Sequence, residues 1–225
     1  MWGDLVKVSK AYKILIWSNK RYLIKTYGVD YYNKFRIIAD KKLKEIEPKV
    51  PDIGKSVNSL NYAFIIAYVP FFHAFNKLQE TKDIAGELIW VINENFFRKI
   101  PKFIWLKMGK ISSSPKGIKT LKKEQKKNEL GLTHPMDWKF QVIDNYDGTY
   151  CCNIKECGAL KVLREIGEDR IFPYPCRLDY LMANLKGNKF KRTKTLADGD
   201  ECCNCNIMGS GYTEWSPEKG FEQRK

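Results

Sequence analysis

Histidine is scarce: the 225 residues contain two, His73 and His134. His73 lies in an apolar stretch and reads as a core residue. His134 precedes Pro135 in a loop, so a Ser-His-Asp or Cys-His triad has few candidates. G-x-x-x-x-G-K-[ST] and G-x-G-x-x-G are both absent, which removes the usual phosphate-cradling loops. C-x2-C twice over is absent as well, so a zinc-finger module is not expected. The most apolar run, Tyr62–Phe75, is interrupted by Pro70 and His73 and falls short of the roughly 20 residues a membrane span needs. It reads as a buried helix. The opening MWGDLVKVSK has no signal-peptide apolar core, and no cysteine precedes Cys151. Seven thiols, an odd number, and no leader predict a cytoplasmic protein with reduced cysteines rather than a disulfide framework. No period suggests a repeat.

What is present is globular: 44% hydrophobic and 13% aromatic residues, enough for a sizeable core. The formal charge is +14, and it is uneven. Residues 1–110 hold 20 Lys/Arg against 10 Asp/Glu, and residues 111–225 hold 20 against 16. Such a surface favours anionic partners. The Lys107–Lys127 run carries eight lysines and one glutamate but no interleaved aromatics to stack bases, which argues for a solvated face and against nucleic acid.

Hydrophobic spacing divides the chain. Leu5, Val8, Tyr12, Leu15 and Ile16 recur at helical intervals up to Gly28. Asp30 is the expected N-cap of a second helix ending before Pro48. Asp52 is the expected cap of a third, with Leu60, Phe64, Ile65 and Tyr68. Thr81 or Asp83 would cap a fourth, with Ile84, Leu88, Val91 and Ile92 inward. Pro101 closes it or opens a short fifth piece through Met108, and a loop at Ser112–Pro115 leads to an exposed basic helix. After Pro135 the period changes to two: Phe140 and Val142, then Tyr150, Cys152 and Ile154 across an Asp147-Gly148 turn. Helices are predicted over Cys157–Ile166 and Pro175–Leu185, and strands over Asn188–Leu196 and Cys202–Met208, with Asp198-Gly199-Asp200 turning between them. The expected class is α+β: a helical N-terminal half packed on a C-terminal antiparallel sheet with helices on one face. The regions read as 1–134, helical; 135–208, α+β and cysteine-bearing, continuous with the first; and 209–225, a loosely held polar tail.

Chemistry-bearing residues concentrate in the second region. Cys176 and Asp179 form C-x-x-D at a predicted helix start, where i and i+3 share a face and the helix N-terminus favours a thiolate. Against this stands the plain reading of a small core cysteine and a capping aspartate. In Cys202-Cys203-Asn204-Cys205, alternation puts Cys203 and Cys205 on one face and Cys202 and Asn204 on the other. A metal site assembled from dispersed residues would draw on Cys157, Cys176 and Cys203.

The run Cys157…Cys176-Arg177-Leu178-Asp179…Arg192-Thr193-Lys194-Thr195-Leu196-Ala197-Asp198-Gly199-Asp200-Glu201-Cys202-Cys203-Asn204 resembles the L-2-amino-thiazoline-4-carboxylic acid hydrolase family over residues 138–208. Asn204 stands where that family usually has Asp, and Cys205 where it has an aromatic. The resemblance implies hydrolysis of a cyclic amidine or thiazoline ring that bears a carboxylate, toward a carbamoyl-cysteine-type product. It implies Cys176 as nucleophile, Asp179 as proton shuttle or orienter, and Arg192 as carboxylate clamp. Cys203 and Asn204 would complete the catalytic pocket, with Thr195 and Cys157 beside the substrate. That route requires no cofactor, whereas a zinc-bound hydroxide is the metal alternative. The same fold is distantly similar to vinyl-reductase-type domains, which gives the competing expectation of a non-catalytic small-molecule-binding or sensor module, some of whose members hold a cysteine-bound metal. The expected partner is a small carboxylate, with no membrane and no nucleic acid.

Overall fold

A computed structural model of the chain describes residues 7–78 and 82–213, with only the backbone given for residues 82–84. Leu5 and Thr81, and the side chains of Asp83 and Ile84, lie outside the described residues, as does the tail from residue 214. The chain divides into two compact units, residues 1–99 with 162–175, and residues 100–161 with 176–225.

The first unit is helical: α1 (Val8–Tyr27), α2 (Val29–Ile46), α3 (Ser59–Leu78) and α4 (Lys82–Phe97). Gly28, at φ 89°, separates α1 from α2 in a single residue, a conformation that costs glycine little. Asp30 therefore falls inside the first turn of α2 and is not its cap. Asp52 likewise does not cap α3; its carboxylate accepts from Gly54 N–H in a local turn, and the helix starts seven residues later. Leu15, Leu23, Phe35, Ile46, Ile66, Phe71, Phe75, Ile89, Trp90 and Ile92 fill the core. Each such side chain contributes about 1.5–3 kcal/mol of transfer free energy. Tyr68 O–H donates to Asn93, and Asn19 Nδ2 donates to the carbonyls of Leu15 and Ile92, while Asn19 Oδ1 and Asn93 Nδ2 are buried without a hydrogen-bond partner. Among the described residues no helix is long and apolar enough to cross a membrane.

The second unit holds α5 (Lys102–Ser112), α6 (Pro115–Glu129) and α9 (Leu178–Lys186), with strands β1 (Lys139–Asp144), β2 (Tyr150–Glu156), β3 (Asn188–Lys191) and β4 (Cys203–Ser210). Between them, α7 (Gly158–Glu165) and the short α8 (Pro173–Cys176) span the points where the chain leaves this unit and returns. The strands form one antiparallel sheet in the order β1-β2-β4-β3. The fold is α+β.

Register decides which side chains share a face. Phe140 pairs with Ile154 and Ile154 with Cys203; Val142 pairs with Cys152 and Cys152 with Cys205; Tyr150 and Phe190 both pair with Ile207. All of these side chains point to one side, and both helices cover that side. Ile118 and Leu121 of α6 pack on Val142, Tyr150, Phe140, Cys152 and Ile207, and Tyr180 of α9 meets Phe190 edge-on at 5.0 Å. The basic helix α6 is therefore anchored by an apolar stripe and exposes only its lysine-bearing side. Ser114 caps it by accepting from Gly117 N–H, and Pro115 opens it.

Two expectations change here. The third strand ends at Lys191, not Leu196, because the N–H groups of Thr193 and Lys194 turn to the Asn204 side chain at 2.9 and 2.8 Å and leave the sheet ladder. The region after Gly209 is not loose from its start. β4 runs to Ser210, and buried Thr213 accepts from Phe190 N–H and donates to Asn188 O.

Candidate active site

The helix expected over Pro175–Leu185 is interrupted. Cys176 closes α8, Arg177 forms the junction, and Asp179 stands in the first turn of α9. A carboxylate there is favoured by the unpaired N–H groups of the helix start. Arg177 is buried, and its guanidinium donates to Asp198 at 2.5 Å, which ties the junction to the connection between β3 and β4. That connection is tightly wound. Asp200 accepts from Thr195 N–H, Thr195 Oγ1 accepts from Ala197 N–H, and Gly199 turns the chain at φ 89°. The R-T-K-T-L-A-D-G-D stretch thus serves as a brace, and its centre is Thr195, which has no exposed surface.

The brace brings two thiols together. Thr195 Oγ1 lies 3.3 Å from Cys176 Sγ and 3.4 Å from Cys203 Sγ, and Leu196 N–H donates to Cys203 Sγ at 3.2 Å. Both thiols share that one hydroxyl, and each shifts the pKa of the other. Arg192, with 5% of its surface exposed, directs Nη1 to Asp179 Oδ2 at 2.9 Å and Nη2 to the carbonyl of Cys176 at 3.3 Å. Its guanidinium carbon lies 5.5 Å from the Tyr180 ring centre and 5.9 Å from that of Phe190, so aromatic faces hold it in place.

This arrangement sets one thiol apart. The hydrogen bond from Cys203, the nearby Arg192 guanidinium and the Thr195 hydroxyl hold Cys176 below the usual thiol range, although burial opposes them. Cys203 moves the other way: its neighbour Cys176 and its burial raise its pKa. Burial drives four further cysteines upward: Cys152 and Cys157 to about 12, with Cys151 and Cys205 also raised. Burial also raises Asp179 above the ordinary carboxylate value, against the pull of Arg192 and Lys186. The Asp179 side chain nevertheless keeps 38% of its surface accessible. A thiol held below its usual range thus shares the Arg192 guanidinium with a partly accessible carboxyl group whose pKa is raised.

The sequence profile of the L-2-amino-thiazoline-4-carboxylic acid hydrolases matches residues 63–207. The chain belongs to that family. No curated protein matches it.

Within this thiazoline-carboxylate hydrolase family member, the residues picked out by sequence fall into separate places. Cys176, Asp179, Arg192, Thr195 and Cys203 form one connected cluster. Thr195 spends its hydroxyl on the two sulfurs and on Ala197, so it supports the pair and is closed to a substrate. Cys157 is buried at the start of α7, where the N–H groups of Leu160 and Ala159 face its sulfur as at a helix cap. Asn204 departs most. It sits on the opposite side of the sheet from Cys203, and its amide oxygen accepts from Thr193 and Lys194 N–H while its Nδ2 donates to Thr193 Oγ1. It clips β4 to the brace and stands outside the thiol cluster. Among the described residues no group of three or more His, Cys, Asp and Glu side chains is placed to hold a metal ion, so Cys157, Cys176 and Cys203 do not converge as ligands. Both histidines have other roles: His134 Nδ1 accepts from Met136 N–H, and His73 lies in α3.

Lys186 was missed. It stands seven residues after Asp179 on α9, two turns along the same face. Helical side chains lean toward the N-terminus, so its ammonium points back toward Asp179. Burial lowers its pKa, and Asp179 is the charge that opposes this. The heptad spacing from the C-x-x-D aspartate was the available signal.

Proposed function

We propose that this chain opens a 2-amino-thiazoline-type ring bearing a carboxylate, with Cys176 as the nucleophile. The observation that carries the reading is the placing of Cys176 and Cys203 on the one Thr195 hydroxyl beside the Arg192–Asp179 pair. The electrophile is the ring carbon bonded to sulfur and to both nitrogens. The Cys176 thiolate adds to it, the ring carbon–sulfur bond breaks, and the departing sulfur takes the proton of Asp179. The result is an isothiourea linking Cys176 to the opened substrate. Water, deprotonated by the Asp179 carboxylate, then adds to the same carbon. Cys176 leaves as thiolate, and the carbamoyl-cysteine-type product departs.

Arg192 works through its neighbours. It holds Asp179 in place and favours negative charge on Cys176, with Nη1 and Nη2 engaged by Asp179 and the Cys176 carbonyl while Nε has no hydrogen-bond partner. Lys186 is the cation left to meet the substrate carboxylate. The partner is accordingly a small carboxylate, and no cofactor is required.

The test is Cys176→Ser in the intact chain, with an amino-thiazoline carboxylate as substrate. Serine preserves volume, but its hydroxyl is far less ionised near neutral pH, so turnover should vanish while the circular dichroism spectrum is unchanged. Chelator treatment should leave wild-type turnover intact. A fully active Cys176→Ser variant would overturn the assignment, and tight binding of the ring without turnover by the wild-type chain would show a sensor instead.

A further inference from the structure

The hydrolytic route uses Cys176 as nucleophile and leaves open why a second thiol should touch it. A hydroxyl would hold a proton as well. Two features make this pair different from a hydrogen-bonded donor and acceptor of any other kind. Both sulfurs contact the same hydroxyl, at 3.3 and 3.4 Å from Thr195 Oγ1. Both residues are also at the ends of their elements, Cys176 last in α8 and Cys203 first in β4. Backbone at element ends can yield to bring two sulfurs on one hydroxyl to the roughly 2 Å of a covalent bond.

We propose that Cys176 and Cys203 are a redox-modification site, oxidised by hydrogen peroxide to a disulfide that removes the nucleophile. The Cys176 thiolate attacks one peroxide oxygen, the O–O bond breaks, and hydroxide leaves and is protonated to water. Cys176 is then a sulfenic acid. The Cys203 sulfur attacks the Cys176 sulfur; the Cys203 proton and the sulfenic hydroxyl depart together as a second water. Two thiols have given up two electrons, and the peroxide has accepted them.

The remaining cysteines do not compete on equal terms. Cys152 and Cys205 face each other across β2 and β4, but burial keeps both protonated, and a thiol attacks peroxide only as thiolate. The neighbouring Cys203 then outruns a second peroxide, so the sulfenic acid is drawn into the disulfide before it over-oxidises. The proposal rests on the same two thiols as the hydrolase reading but not on its substrate.

The test treats reduced, intact protein with a modest excess of hydrogen peroxide. Two of the seven thiols should disappear, the intact mass should fall by two hydrogens, and non-reducing peptide mapping should find Cys176 joined to Cys203. Thiol reductant should restore both the thiols and any turnover lost. Cys203→Ser should give no disulfide and should instead accumulate a sulfenic acid on Cys176 that a cyclic dione traps. Retention of all seven thiols, a bridge between other cysteines such as Cys152 and Cys205, or over-oxidation of Cys176 in the wild-type chain would each overturn the proposal. A disulfide that forms in a protein inactive on thiazoline rings would leave it standing and sink only the substrate assignment.

Discussion

Arg192 Nη1 donates to Asp179 Oδ2 at 2.9 Å, while Nη2 of the same guanidinium reaches the Cys176 carbonyl at 3.3 Å. One planar group thus fixes the relative positions of the Cys176 backbone and the Asp179 carboxylate, the proposed nucleophile and proton carrier. Arg192→Lys keeps the charge but loses the fork. Turnover should fall by about 10-fold or more through kcat, and the midpoint of Cys176 alkylation should move to higher pH. A rise in KM alone, with kcat and the alkylation profile unchanged, would mean instead that Arg192 meets the substrate directly.

The pH dependence follows from the direction of the Cys176 shift. A thiol held below the ordinary value of about 8.5 is ionised, and therefore alkylated, at lower pH than a free cysteine. Thr195→Val removes a hydroxyl that supports the thiolate without changing the bulk of the side chain. The alkylation midpoint should rise toward the ordinary thiol value, read by iodoacetamide labelling of Cys176 across pH and peptide mass spectrometry. An unchanged midpoint would exclude Thr195 from thiolate stabilisation.

In the first unit, Lys42 is buried and its ammonium lies 2.7 Å from Glu168 and 2.9 Å from Glu45. Glu168 has little exposure of its own, at 12%. Lys42→Ala would strand that carboxylate, at a cost of about 3 kcal/mol. Lys42→Met combined with Glu168→Gln removes both charges and should cost clearly less. Chemical denaturation of the two variants decides this; equal losses would make packing, and not charge, the cause.

Along α6, Lys116, Lys119, Lys123 and Lys126 are exposed, whereas Lys122 pairs with Asp144 at 2.8 Å and Lys127 with Glu124 at 2.6 Å. Replacing the four exposed lysines with Gln should change stability by at most about 0.5 kcal/mol each and leave catalysis intact. A steeply salt-dependent affinity for RNA or DNA that disappears in this variant would show that the run has a partner.

The period-two alternation after Pro135 and the turn at Asp147-Gly148 were sufficient to place the sheet and to separate Cys203 from Asn204 by face, because successive residues of a strand must point to opposite sides. The helical spacing of the first half was equally readable, since burying an apolar stripe requires it. Helix starts were less so. Asp30 and Asp52 have the chemistry of caps, but Gly28 and the turn at Gly54 fixed the boundaries first. The C-x-x-D motif and the brace residues were visible as a pattern, yet nothing local assigned them their roles. Cys176 and Cys203 are far apart in sequence, and their contact depends on a brace that cuts β3 short and on a register that turns Cys203 toward the helices. Arg192 read as a free clamp because a sequence shows a charge and not its partners; packing between Tyr180 and Phe190 turned its donors to Asp179 and Cys176. Residue types and spacing therefore determined the elements and the set of reactive groups. Only the tertiary structure decided which thiol carries the charge, because a pKa answers to burial and to neighbours that long-range packing brings within hydrogen-bond distance.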